Sequence, residues 1–174
     1  MTSIKPSALL KGEGLPDYAK ITPNEITENI PRLIKDLNEK LNKLEKQLDQ
    51  KLSTQNHLSW EDVMPQLYEI GEKLRWSWGV VSHLNGVCNS SELREVHSNQ
   101  QPLIVRFSNQ IAQNEVIFKA LSNLKENGNI KDETQIRIIE TELITMKNKG
   151  IGLEGKEKAL FNSRSERLAE LSTT

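Results

Sequence analysis

Apolar residues recur through the first third of the chain in steps of three and four, at Ile26, Ile30, Leu33, Leu37, Leu41, Leu44, Leu48 and Leu52. That spacing keeps one face of a helix apolar over many turns. Thr22-Pro23-Asn24-Glu25 supplies the start: Thr22 as cap, Pro23 in the first turn, and Glu25 at the reciprocal capping-box position. The pattern predicts one helix to about residue 53, roughly 45 Å long at about 1.5 Å per residue. Pro31 is expected to bend its first turns. Asp36/Lys40 and Glu39/Lys43 stand in the favourable i,i+4 order.

A polar break at 53–58 precedes Ser59, which with Asp62 predicts a second capped start. Its stripe runs Val63, Leu67, Ile70, Leu74, Trp78, Val81, then Leu84 or Asn85, and Cys88. Asn89-Ser90-Ser91-Glu92 reads as a stop and a new start. The next helical segment carries Leu93, Val96, Leu103, Phe107, Ile111, Ile117, Phe118, Leu121 and Leu124, with Pro102 bending or dividing it and Gly128 ending it. A short strand over Leu103–Phe107 is the alternative there, disfavoured because helical spacing continues on both sides. Asp132 with Gln135 starts a helix through Ile136, Ile139, Leu143 and Met146 that Gly150 closes. A last one begins near Gly155 with Leu160, Phe161, Arg164, Leu168 and Leu171 as its stripe. The expected fold is all-α, a bundle of about five helices over 23–174, preceded by an extended arm over 1–22. The arm has no sustained periodicity, only the isolated apolar points Leu9, Leu10, Leu15, Tyr18 and Ile21. It reads either as a frayed tail or as a strap that docks those side chains.

From Trp76 to Ser91 there is no Asp, Glu, Lys or Arg. Trp78, Val81 and Leu84 fall on one helical face, and Trp76, Val80, His83 and Val87 on another. Gly71, Gly79, Ser82 and Gly86 fill the arc between. A helix without a polar face is expected to be buried on most sides. Each interior glycine costs about 1 kcal/mol relative to Ala. Close approach of a neighbouring helix along the small arc, from this bundle or from another body, is the expected compensation. Leu9, Leu10, Tyr18, Trp76, Trp78, Gly79, His83 and Gly86 are therefore the packing or interface candidates.

Composition narrows the chemistry. The 174 residues hold 23 Lys plus Arg against 24 Asp plus Glu, a net charge of -1. A balanced charge gives no general electrostatic drive toward nucleic acid or anionic membrane. No segment approaches the ~20 apolar residues of a membrane span, and the opening residues do not resemble a secretory signal. The single cysteine, Cys88, excludes an internal disulfide and fits a reducing compartment, with cytoplasm as the expected location. Its place on the apolar stripe predicts an inert, buried thiol. His83 is expected to be a core or interface histidine with local hydrogen bonds. His57, His83 and His97 form no His-Glu-x-x-His, so neither a metal site nor a catalytic or cofactor-binding residue is expected in this chain. Gly12-Glu13-Gly14 lacks the strand and third glycine of a phosphate loop. Glu154, Glu157, Arg164, Glu166 and Arg167 read as a solvated helix face.

Trp78-Gly79-Val80-Val81-Ser82-His83-Leu84-Asn85, followed by Val87-Cys88-Asn89-Ser90-Ser91-Glu92-Leu93-Arg94, resembles the amino-terminal region of the oligopeptidase A and thimet oligopeptidase family of zinc metallopeptidases. Leu9-Leu10 with Leu15-Pro16-Asp17-Tyr18 resembles the family's opening arm, where Phe usually replaces Tyr18. Ile21-Thr22-Pro23, Trp60 with Pro65-Gln66-Leu67, Gln113-Asn114-Glu115 and Arg167-Leu168-Ala169-Glu170-Leu171-Ser172 agree in order. The resemblance runs from about Ala8 to Thr174. It implies an all-helical region that forms one side of a deep cleft admitting short peptides. Zinc, its ligands and the catalytic glutamate would lie downstream, in a catalytic domain that is this region's natural partner. It also implies a region truncated at its C-terminal end, since Thr174 falls where the family's helix continues. The expected function is that of a non-catalytic portion, inactive alone. The alternative is a stand-alone helical interaction module that binds a partner helix through the Ile26–Leu52 stripe.

Overall fold

The computed structural model describes residues 7–54, 57–128 and 130–172. It is built of helices, with no strand among the described residues: α1 (Pro23–Thr54), α2 (Trp60–Val87), α3 (Ser91–Ala112), α4 (Glu115–Asn127), α5 (Glu133–Asn148) and α6 (Gly155–Leu171). A single 3-10 turn, Tyr18–Lys20, precedes α1. The first six residues of the expected arm lie outside the described residues.

α1 sets the frame. Ile26, Ile30, Leu37, Leu41 and Leu48 are fully buried, and Leu33 and Leu44 nearly so. α2, α3 and α4 each pack against this stripe. Together they close a single core that also takes Val63, Met64, Phe107, Ile117 and Leu121. Burying one Leu side chain contributes about 1.5–3 kcal/mol, so a stripe of this length organises the remaining chain. α5 packs mainly on α4, and α6 on α3. Pro31 sits inside α1 without ending it. Of the two expected ion pairs on α1, Lys40 lies 3.8 Å from Asp36 but 2.8 Å from Glu69 on α2. No ion pair joins Glu39 to Lys43 among the described residues.

The expected single helix over 91–127 is two. Pro102 lies within α3, and the expected strand alternative, 103–107, is helical. The break falls at Gln113-Asn114, where the Asn114 side chain accepts the Ile117 N–H at 3.0 Å and caps α4. The Asn114 amide also donates to Glu45 of α1. An interior proline removes one backbone hydrogen bond; a capping side chain that also ties down a neighbouring helix offers the chain a better place to stop.

Other predicted boundaries hold. Asp132 accepts the N–H groups of Thr134 (2.7 Å) and Gln135 (3.2 Å). Gly150 closes α5 with φ of 82°, and a Cβ there would meet Leu153 Cδ1 at 2.7 Å. At Gly128 a Cβ would lie 2.4 Å from the Leu124 carbonyl oxygen, so that turn also requires glycine.

At the start of α2 the Asp62 carboxylate accepts the Ser59 N–H at 2.8 Å and the Ser59 hydroxyl at 2.9 Å, and it pairs with Lys51 of α1. Lys51 foremost, then the Ser59 donors, hold the Asp62 carboxyl below its usual range, against the opposing effect of partial burial. A depressed folded-state pKa stabilises fully above the unfolded value near ~4, and that contribution is lost as pH falls through the folded value. Asp62→Ala is therefore expected to lower stability by about 1 kcal/mol at neutral pH. The loss should shrink in urea unfolding performed at successively lower pH below ~4.

Candidate functional site

The docked arm is the first element of the site. Leu9 is fully buried and is held through both its backbone N–H and its carbonyl. Its N–H points to the Glu25 carboxylate at 3.5 Å, which also accepts from the Ser7 hydroxyl. Its carbonyl accepts the buried Ser77 hydroxyl at 3.0 Å. Glu25 thus serves the arm rather than closing a capping box on Thr22, although Thr22 Oγ1 does accept the Glu25 N–H at 3.3 Å. Ile21 is buried and Leu10 partly so. Leu15 points outward at 88% exposure. Tyr18 is exposed, with its ring 5.5 Å from that of His83.

The uncharged half of α2 carries the second element. Val80, Val81 and Leu84 are buried, with Trp76 and Trp78 partly so. The small arc faces the other way. Gly71, Gly79, Ser82, His83 and Gly86 are exposed, and nothing lies within 4 Å of a Cβ built at any of the three glycines. No helix among the described residues closes on Gly79 or Gly86, which corrects the expectation of close approach from within this bundle. The buried residues of this half of α2 are Ser77, Val80, Val81 and Leu84, on the sides away from the glycines. His83 is likewise exposed, not a core residue of this chain. The buried histidine is His97, whose ring lies 4.6 Å from that of Trp78; desolvation holds its pKa below the usual histidine value. Cys88 is exposed. α2 ends at Val87, so the thiol leaves the apolar stripe one residue past the last turn.

α6 departs further from expectation. Leu160, Leu168 and Leu171 are 50%, 70% and 56% exposed. Its polar face is the one set against α3. Arg106 makes a two-pronged pair with Glu166 at 3.1 and 2.9 Å. The Gln101 amide donates to the Ala169 carbonyl at 3.2 Å. The Gln113 amide donates to Asn162 Oδ1 and to the Lys149 carbonyl, both at 2.8 Å. The leucines of the stripe read from the sequence therefore lie on the outer face, while its Phe161 is half-buried near Gly150. Glu166, read as solvated, is an inter-helix partner, with its carboxyl held below its usual range chiefly by Arg106.

A groove of about 340 Å³ opens between α2 and α5 over α3 and α4. Met64, Leu67, Ile111, Ile117, Leu121 and Met146 give it an apolar floor, and Gly71, Tyr68 and Glu142 stand at its walls. Burial alone raises the Glu142 pKa. No hydrogen bond or ion pair reaches its carboxylate among the described residues. A neighbouring Tyr68 hydroxyl is also pushed up, by desolvation first and then by the Glu142 charge.

No group of three or more His, Cys, Asp and Glu positioned to hold a metal occurs among the described residues. His57 and His83 are exposed at separate places, and His97 is buried against Trp78. The His, Cys, Asp and Glu side chains of the described residues do not gather into a tetrahedral zinc site. No helix among the described residues is long and apolar enough to cross a membrane.

Fold and site together define an all-helical domain with a closed interior and two helices, α2 and α6, that keep small or apolar faces outward. The chain belongs to the neurolysin/thimet oligopeptidase family, whose N-terminal domain matches residues 30–158. It is 31% identical to oligopeptidase A of Haemophilus influenzae over 167 residues, covering 95% of this chain and 23% of the relative. Against oligopeptidase A of Escherichia coli the identity is 29%, over 90% of this chain and 22% of that protein. Against the Arabidopsis thaliana protein named "probable cytosolic oligopeptidase A" it is 26%, over 98% and 23%. The chain thus spans less than a quarter of the length of these relatives.

Leu9 is legible in the sequence as a docking point, but its holders are not: Ser77 carries no local signal, and Glu25 reads only as a capping residue. Ser77→Ala leaves the buried Leu9 carbonyl without a donor, an expected loss of about 1–3 kcal/mol in urea unfolding. The same variant should be cut faster by trypsin at the exposed Lys11 as the strap loosens.

Proposed function

We propose that this chain is the amino-terminal, non-catalytic helical portion of a zinc metallo-oligopeptidase that hydrolyses short peptides, and that it forms a wall of the substrate cleft. The observation that carries the reading is the family match over residues 30–158 in a chain that covers only 23% of the Haemophilus relative. Its partner is the catalytic remainder of such an enzyme, which would hold the zinc and act on peptides. The open Gly79–Gly86 arc and the outward leucines of α6 supply contact surface for that remainder. A helix seated against glycine has room to approach closely, and this would compensate the ~1 kcal/mol that each interior glycine costs. The name of the Arabidopsis relative supports a cytoplasmic setting, as does the single cysteine. The balanced charge supports a role without nucleic acid.

The rival reading, a free-standing module that recruits a partner through the Ile26–Leu52 stripe, needs that stripe to be open. It is instead buried in the chain's own core from Ile26 to Leu48, at no more than 4% exposure.

The test is a graft. This chain replaces the matched region of the Haemophilus enzyme, and hydrolysis of a short peptide is followed. The graft is expected to be active. Gly79→Leu with Gly86→Leu should lower that activity roughly tenfold or more, since overpacking a fitted contact costs about 1–3 kcal/mol. In the isolated chain the same substitutions should raise stability by roughly 1 kcal/mol each, because they meet open space and favour the helix. Undiminished activity of the doubly substituted graft overturns the role of the arc. An isolated chain that binds one equivalent of zinc and cuts peptide overturns the non-catalytic role.

A further inference from the structure

The groove between α2 and α5 has the make-up of a small-ligand site, and it stands apart from the family reading. Its volume, about 340 Å³, lies in the range of small-molecule pockets, roughly 300–1,000 Å³. Four helices contribute to it, so its shape is fixed by the core rather than by a loop. The missing side chain at Gly71 leaves its α2 wall open, with nothing within 4 Å of a Cβ built there.

Its charges are arranged unevenly. Tyr68, Glu72 and Arg75 line it from α2, Glu142 from α5, and Lys149 from the cap just past α5; Arg137 of α5 lines the adjoining hollow with Tyr68 and Glu142 and makes no ion pair with Glu142 among the described residues. α3 and α4 contribute no ionisable side chain to it. Arg75 is paired with Glu72 on its own helix. Lys149 makes no ion pair among the described residues and does not offset the desolvation of Glu142, whose raised pKa has burial as its one cause. The result is a half-buried carboxylate without a counter-ion beside an apolar floor and an aromatic ring. A partly desolvated carboxylate gains most from a ligand cation that brings its own apolar stem, and an aromatic face adds to that preference.

We propose that this groove binds an alkylammonium group, with the alkyl stem on the Met64, Leu67 and Met146 floor and the ammonium on the Glu142 carboxylate beside Tyr68. The same chemistry is offered by a free aliphatic amine and by a lysine side chain of a polypeptide.

The experiment titrates the folded chain at pH 7 with n-hexylamine, hexan-1-ol and hexanoate, and follows amide and methionine-methyl NMR shifts. Nα-acetyl-lysine N-methylamide represents the lysine source. Hexylamine is expected to bind about tenfold or more tighter than the alcohol, with hexanoate weakest. The shifts should be confined to the groove, including the Met64 and Met146 methyls. Binding of the lysine derivative with similar strength assigns the site to a protein side chain; binding of hexylamine alone assigns it to a free amine. Glu142→Gln should bring amine and alcohol to equal affinity while keeping the shape. Gly71→Leu should block all three probes, and its thermal unfolding should show a chain at least as stable as the parent. As pH falls through the raised Glu142 pKa, amine binding should fade and alcohol binding should not. Equal affinity for amine and alcohol in the parent chain, insensitivity to Glu142→Gln, or shifts centred elsewhere would overturn the proposal.

Discussion

The structure depends on one continuous apolar seam. α1 runs from Pro23 to Thr54 without interruption and presents aliphatic side chains at nearly every turn. α2, α3 and α4 are held by contact with that seam, while α5 and α6 attach to helices already placed by it. The burial is one-sided, so the polar face of α1 remains free to carry bridging charges such as Lys40 to Glu69 and Lys51 to Asp62. Those bridges join α2 to α1, but pairs that stay in part open to solvent contribute modestly beside the apolar burial. The strap places Leu9 in the same interior. One buried leucine, one serine hydroxyl and one glutamate carboxylate fix its backbone there.

The seam was legible because its spacing never breaks from Ile26 to Leu52 and its partners are supplied by the same chain. Caps were legible for a similar reason. Ser59, Ser90 and Asp132 act within three residues of themselves, and local geometry needs no knowledge of the rest. Pro102 misled because proline is a local signal whose effect depends on context. The stop at Asn114 also draws on Glu45, far away in sequence.

Faces were harder to assign than helices. Hydrophobic periodicity says which residues share a side, not what lies opposite. On α2 it correctly grouped Gly71, Gly79, Ser82 and Gly86, but could not say that this chain leaves them uncovered. On α6 it took the leucine side for the interior. The polar residues facing α3 find Gln101, Arg106 and Gln113 waiting, and that complementarity is invisible one helix at a time. The groove beside Glu142 left no mark at all, since its walls come from four helices and no local spacing links Gly71 to Glu142.

The reversed seating of α6 has a consequence for how the domain opens. An interface made of amides, a guanidinium and a carboxylate exchanges its partners for water at little net cost, whereas the leucine seam does not. α6 is thus the shutter of this building rather than a beam. Its amide protons should trade with solvent well before those of α1, and the domain would retain its frame while that helix swings free.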